Sequence, residues 1–319
     1  LEIQNGNHRV RVGLTRSAAT ASVPPSQHRN DRRGPRLPEF IAVGPPRTGT
    51  TWLHQRLEGH VGLPARVKET NFFDSYYEHG LDWYLSHFKR CDPALPVGEV
   101  CTYFAIPAAR ERIQRHIPEC RIIVSLRDPV ARTYSYYKHM REMAYTKDTF
   151  ENVLATRPHV SEVNRYAFHL NDWLARFGRE RVLVLLYDDL RADPQGFLDR
   201  VCDFIGIGRI ALTGKEVDDD SVNAVAREPR NYKLAQNARH MRVWLRSRRM
   251  HRTYDVLERL GFWEFAAGRG AEFPPLTPEQ DARVRARYRP EVEAIEKLIG
   301  RDLSAWKIPR GERPRAQVA

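Results

Sequence analysis

Residues 40–54 read Phe40-Ile41-Ala42-Val43-Gly44-Pro45-Pro46-Arg47-Thr48-Gly49-Thr50-Thr51-Trp52-Leu53-His54. The first four are apolar and rich in β-formers, which predicts a short buried strand. A Gly/Pro loop, Gly44 to Gly49, follows at once. Thr50 or Thr51 then opens a helix, with Trp52, Leu53 and Leu57 behind it. Strand, glycine loop and helix N-terminus together make an anion site. The backbone N–H groups point at the ligand, and the helix dipole favours negative charge.

The spacing is nearly that of the phosphate loop G-x-x-x-x-G-K-[ST]. Here the positions are Gly44, Gly49, Thr50 and Thr51. A threonine stands where a lysine would reach the β- and γ-phosphates, and a cation, Arg47, lies inside the loop instead. The pattern predicts a site for a phosphate-type group, but not for the triphosphate with Mg²⁺ of an ordinary NTPase. One Arg, two Gly and three Thr hydroxyls within one short loop separate it from an arbitrary strand–turn–helix connection.

A second unit of the same kind runs from Cys120 to Tyr137. Arg121 to Leu126 is nearly continuous and β-branched, a central-strand pattern. Asp128 can cap the next helix, and Pro129 suits its first position. Arg127 sits at the strand end and Ser135 about two turns up the helix. A guanidinium and a hydroxyl so placed can pinch one phosphate.

These two stretches carry a resemblance. Pro45-Pro46-Arg47-Thr48-Gly49-Thr50-Thr51-Trp52-Leu53 resembles the 5′-phosphosulfate loop of sulfotransferases that use 3′-phosphoadenosine 5′-phosphosulfate (PAPS), with Arg47 at a position that is usually Lys. Leu126-Arg127-Asp128-Pro129, Arg132 and Ser135 match the family's 3′-phosphate motif, L-R-[DN]-P-x-x-R-x-x-S. The closing Gly300-Arg301-Asp302-Leu303 with Trp306 resembles the family's usual ending. The resemblance covers roughly residues 38–307. It implies PAPS as co-substrate and its product PAP, and no metal. It implies a cofactor site of Arg47, Thr48, Gly49, Thr50, Thr51, Trp52, Arg127 and Ser135. Arg227 and Arg230 lie where the family carries a basic loop over the cofactor; a solvated loop is the other reading of that segment.

Between the two motifs, Leu63 to Val67 reads as a second strand ending at Lys68 or Glu69. Ligands of open parallel sheets bind beyond the strands' carboxyl ends, so a Lys-Glu pair there is placed for chemistry. A surface ion pair is the plainer reading. The segment Lys68-Glu69-Thr70-Asn71-Phe72-Phe73 resembles that of glycan sulfotransferases of the heparan sulfate N- and 3-O-sulfating type. This implies Glu69 as general base, Lys68 and Arg47 as its catalytic companions, and a carbohydrate hydroxyl or amine as acceptor. A non-sugar natural product or a peptide is the alternative acceptor. A nucleotide kinase-like enzyme and a non-catalytic anionic-glycan-binding protein are the other classes. Gly98-Glu99 also matches a family segment, but Cys101, Thr102 and Phe104 depart from it, so no catalytic duty is assigned there.

The remaining pattern predicts helices at Pro107–His116, at residues 161–177, at Pro194–Ile205, at residues 241–260 and from Thr277 to Ile299, with a strand over Arg181–Tyr187. Asp188 and Asp189 form either a carboxylate pair or a strand-end turn. Alternation of strands and helices predicts an α/β, P-loop-like three-layer fold with a central parallel sheet flanked by helices.

The chain has 319 residues, 41% hydrophobic and 29% charged, enough for a core. Four cysteines without C-x-x-C spacing, no apolar leader and no run of bilayer length lead us to expect a reduced, cytoplasmic protein. The net charge is +12. Much of the excess lies in residues 1–37, expected to be a disordered basic lead-in, and in a basic tail, 308–319. The rest suits an anionic pocket. No nucleic-acid motif is present, so the expected partner is the acceptor and not a nucleic acid.

Overall fold

A computed structural model describes residues 36–214, 227–248, 250–268 and 270–309. The expected basic lead-in up to residue 35 and the tail from residue 310 lie outside them. Four strands, β1 (Phe40–Ala42), β2 (Gly98–Val100), β3 (Arg121–Leu126) and β4 (Val182–Leu186), form one sheet in the order β2-β1-β3-β4. Every pairing is parallel. A sheet of this kind is stable only when both faces are covered, and the side-chain alternation shows how. Ile41, Val43, Ile122 and Val124 point into one core with Ile113, Trp173 and Ile295. Phe40, Ala42 and Ile123 point into the other with Trp52, Leu53, Phe197 and Val201. Helices α1 (Thr50–Leu57), α2 (Leu81–Leu85), α3 (Pro107–His116), α4 (Pro129–Glu142), α5 (Phe150–Thr156), α6 (Pro158–Glu162), α7 (Tyr166–Phe177), α8 (Tyr187–Ala192) and α9 (Pro194–Ile205) follow the strands in turn. The result is the expected three-layer α/β fold. β1 and β2 run so close that a Cβ on Gly98 would lie 2.1 Å from the Phe40 ring, which is why a glycine stands there.

Three elements differ from the sequence reading. Leu63 to Val67 is not a strand. Both edges of β1 are already taken, by β2 and β3. Pro64 has no N–H to give a ladder, and Arg66 turns the chain with φ 69°. Only Gly62 touches the sheet, by a bridge to Val97. The second strand is therefore Gly98–Val100, and Glu69 lies on a loop. The single helix expected at 161–177 is split into α6 and α7. The break holds Asn164, fully buried, whose amide accepts from Arg132 Nε at 2.6 Å and donates to Thr133 at 2.7 Å. The helix expected at 241–260 is two, Tyr232–Ser247 and His251–Arg259. No Gly or Pro marks the break. It lets the second helix fold back, so that the Tyr254 hydroxyl meets Arg242 Nη2 at 2.7 Å.

The C-terminal helix Pro278–Ile299 has the expected capping box of Thr277 and Gln280. Asp188 and Asp189 lie in the first turn of α8 and anchor the segment that carries Arg301 and Trp306. Asp188 accepts the Trp306 indole N–H at 2.6 Å, and Asp189 pairs with Arg301 at 2.9 Å and Arg200 at 3.1 Å. Their role is structural.

Candidate active site

The loop after β1 turns on two residues in the left-handed region, Arg47 (φ 74°) and Gly49 (φ 90°). A Cβ at Gly49 would lie 2.8 Å from Leu190, so α8 packs directly under it. Gly49 is also the N-cap of α1 and supplies no capping side chain. The first N–H groups of α1 are thus left to whatever anion sits above them.

Thr48 is 0% exposed. Its hydroxyl lies 2.8 Å from the Pro45 carbonyl and 2.7 Å from Ser125 Oγ on β3. It fastens the loop from below rather than facing out. Trp52 is buried in the core, edge-on to Phe197; what it can offer a ligand is its backbone N–H. Thr50 is buried as well, but its hydroxyl lies 3.4 Å from Lys68 Nζ. Thr51 is exposed.

The two sequence motifs meet here. Arg47 Nε donates to Ser135 Oγ at 3.0 Å, across 88 residues of chain. Arg127 Nη1 donates to the Arg47 carbonyl at 3.1 Å, and its guanidinium lies 4.2 Å from the centre of the Tyr187 ring. The Arg127 carbonyl is held in turn by the Tyr166 hydroxyl at 2.9 Å. Burial pulls the Arg47 guanidinium below its ordinary value, with Glu142 and then Tyr187 pulling the other way. Its direct hydrogen bond goes to a hydroxyl and not to a carboxylate. A largely buried cation so placed favours an incoming anion.

Lys68 and Glu69 arrive on their loop. Lys68 Nζ lies 2.6 Å from Glu69 Oε1 and links it to Thr50 at the helix start. Thr102, just after β2, donates to Glu69 Oε2 at 3.3 Å. The Glu69 side chain is 27% exposed, so a substrate can reach it. Glu99, by contrast, is 0% exposed and fully engaged with Thr70, Tyr84 and Tyr103. His54, one turn into α1, is held below its ordinary value by burial and then by Lys68, against the opposing effect of Glu58 and Glu69.

Sequence reasoning missed Ser125, Thr102 and Tyr187. Thr102 carried a weak signal, as a polar residue where the resembling segment has Pro. Ser125 and Tyr187 gave none, because they act on residues far away in sequence. Of the expected basic loop, Arg227 pairs with Glu272 at 2.5 Å, and Arg230 is exposed. Glu228 between them pairs at 2.5 Å with Arg141, on the helix that carries Ser135. Among the described residues, no group of three or more His, Cys, Asp or Glu is arranged to hold a metal ion. All four cysteines carry free thiols.

The chain resembles proteins of known kind in sequence and in fold. It is 31% identical over 196 residues to human bifunctional heparan sulfate N-deacetylase/N-sulfotransferase 3, covering 54% of this chain and 22% of the relative. It is 32% identical over 190 residues to human heparan sulfate glucosamine 3-O-sulfotransferase 3A1, covering 56% and 47%. It thus spans less than half the length of either. A sulfotransferase structure from Alicyclobacillus acidocaldarius shares the fold with a TM-score of 0.61 at 21% identity, over 86% of this chain and all of that one. The family model described as Sulfotransferase domain matches residues 37–243, well over half of the chain, and the chain belongs to that family.

Proposed function

We propose that this protein transfers a sulfuryl group from PAPS to a carbohydrate hydroxyl or amine. The observation that carries the reading is the convergence on one loop of Ser135 and Arg127, through Arg47, and of the Lys68–Glu69 pair, through Thr50. The uncapped α1 N-terminus and the left-handed loop fit a 5′-phosphosulfate. Arg127 and Ser135 hold the 3′-phosphate and so position the donor. Glu69 takes the acceptor proton as the acceptor oxygen or nitrogen attacks sulfur in line. The S–O bond to the phosphate breaks, and PAP leaves. Arg47, Lys68 and the loop N–H groups stabilise the charge growing on the bridging oxygen. The likeness of the Glu69 segment to heparan sulfate sulfotransferases supports a glycan acceptor.

The test has two parts. Thermal stabilisation should be large with PAP and small with ATP·Mg, since at equal concentration the ligand that binds the folded state more tightly stabilises it more. Radiolabelled PAPS should then transfer to completely desulfated heparin, which offers both hydroxyls and amines. Stabilisation by ATP·Mg alone would point to a kinase. Transfer only to non-sugar acceptors in a wider panel would overturn the glycan assignment.

A further inference from the structure

We propose that Glu99 is a positioning residue for the reaction, holding through Thr70 the short loop that presents Glu69. This rests on the reading of Glu69 as general base.

Glu99 is on β2, opposite Ile41 of β1, and has no exposure. Its Oε1 accepts from the Thr70 backbone N–H at 2.9 Å and the Thr70 hydroxyl at 2.6 Å. The Tyr103 hydroxyl lies 3.5 Å from the same oxygen. Oε2 accepts from the Tyr84 hydroxyl at 2.8 Å. Every one of these partners is neutral. A carboxylate buried among neutral donors is costly compared with an apolar residue of similar size. Burial raises its proton affinity, and the bonds from Thr70 and Tyr84 only partly offset this. The arrangement therefore has to supply something that a leucine at this place could not.

What it supplies is a grip on the residue next to Glu69. Residues 65–71 form no ladder, and left-handed Arg66 and Asn71 mark the segment's two ends. Thr70 Oγ1 also accepts the Phe72 N–H at 3.2 Å, which closes the turn. Two residues beyond the strand, Thr102 takes the second oxygen of Glu69. β2 therefore sets both the backbone and the carboxylate of Glu69. β1, its neighbour at fixed register, carries the phosphosulfate loop. Donor and base are held on adjacent strands, and displacements of about 1 Å in such an arrangement cost about 100-fold in rate.

The test is a double-mutant cycle with desulfated heparin as acceptor. Glu99→Gln keeps the shape but not the charge. Thr70→Val removes the hydroxyl bond, and Thr70→Ser keeps it. We expect Glu99→Gln and Thr70→Val each to lower turnover about 10–100-fold, with PAP affinity and acceptor KM within a few-fold of wild type and with Thr70→Ser near wild type. In a Glu69→Gln background, neither change should lower turnover further, because they act through Glu69. Hydrogen exchange at the Thr70 amide should also quicken in Glu99→Gln. Equal losses in both backgrounds would show a general structural role and overturn the proposal. So would unchanged exchange at Thr70, whether or not desulfated heparin is an acceptor. A Glu69→Gln enzyme with wild-type turnover would instead sink the base assignment itself, a distinct result.

Discussion

In the proposed reaction, Glu69 is the residue on which the chemistry turns. Its two oxygens face Lys68 and Thr102, and it remains reachable from solvent. Glu69→Gln keeps these contacts in shape but cannot take a proton. Turnover should fall about 10²–10⁴-fold, while calorimetric PAP affinity stays unchanged. Lost PAP affinity would mean that Glu69 supports the loop rather than acts in the reaction. Gly49 makes a second prediction at this scale. With φ 90° and Leu190 2.8 Å from where a Cβ would go, Gly49→Ala strains the loop and pushes on α8. A stability loss of about 1–3 kcal/mol is expected, read as a lower urea midpoint, together with weakened PAP binding. An unaffected variant would show that the loop has room it does not display.

At the scale of elements, α7 and α3 are joined by a polar cluster inside the apolar core. Arg110 pairs with Asp172 at 2.6 Å and bonds the Phe104 carbonyl at 2.7 Å. Arg110 Nη1 also donates to His169 Nδ1 at 3.3 Å, and His169 Nε2 donates to the Glu162 carbonyl at 3.1 Å. Both nitrogens are thus used by a neutral ring. Burial lowers the His169 pKa to about 4; the bond to Glu162 opposes this, and Arg110 adds to it. Below about pH 6.5, the unfolded chain takes up a proton that the folded one refuses until about pH 4. Stability should therefore fall as pH drops from 6.5 to 4, by about 3 kcal/mol from this residue. Urea midpoints at pH 7 and 4.5 should differ less in His169→Gln than in wild type. An equal difference in both would remove His169 from the account.

These elements also show what the sequence made legible. The two strand–turn–helix units were readable because each is local: a strand, a turn and a helix start within about fifteen residues. Pro107–His116, Pro194–Ile205 and the helix ending at Ile299 were readable from their prolines, caps and glycine stops. The strand at Leu63 to Val67 was misread because alternation alone does not say that both edges of β1 are occupied. The split at Asn164 was hidden because it answers to Arg132, 32 residues away. Thr48 was placed in the right loop but turned the wrong way to be read locally, since its partner Ser125 belongs to β3.

For the whole molecule, the sheet is what makes one site of distant pieces. β1 and β3 are neighbours, so the loops at their carboxyl ends meet. This brings Arg47 to Ser135 and Arg127 to the Arg47 carbonyl. Beyond the helix Pro278–Ile299, Arg301 and Trp306 reach α8 through Asp189 and Asp188. The central claim is that this junction reads a 3′-phosphate. Isothermal titration of the full chain with PAP and with ADP tests it most directly, because both ligands carry adenosine and two phosphates, but only PAP carries one of them at the 3′ position. Charge-assisted bonds of this kind are worth about 1.5–3 kcal/mol. PAP should therefore bind at least about tenfold more tightly than ADP, and Arg127→Ala should remove most of the difference. Equal affinity for PAP and ADP in the wild-type protein would contradict the account.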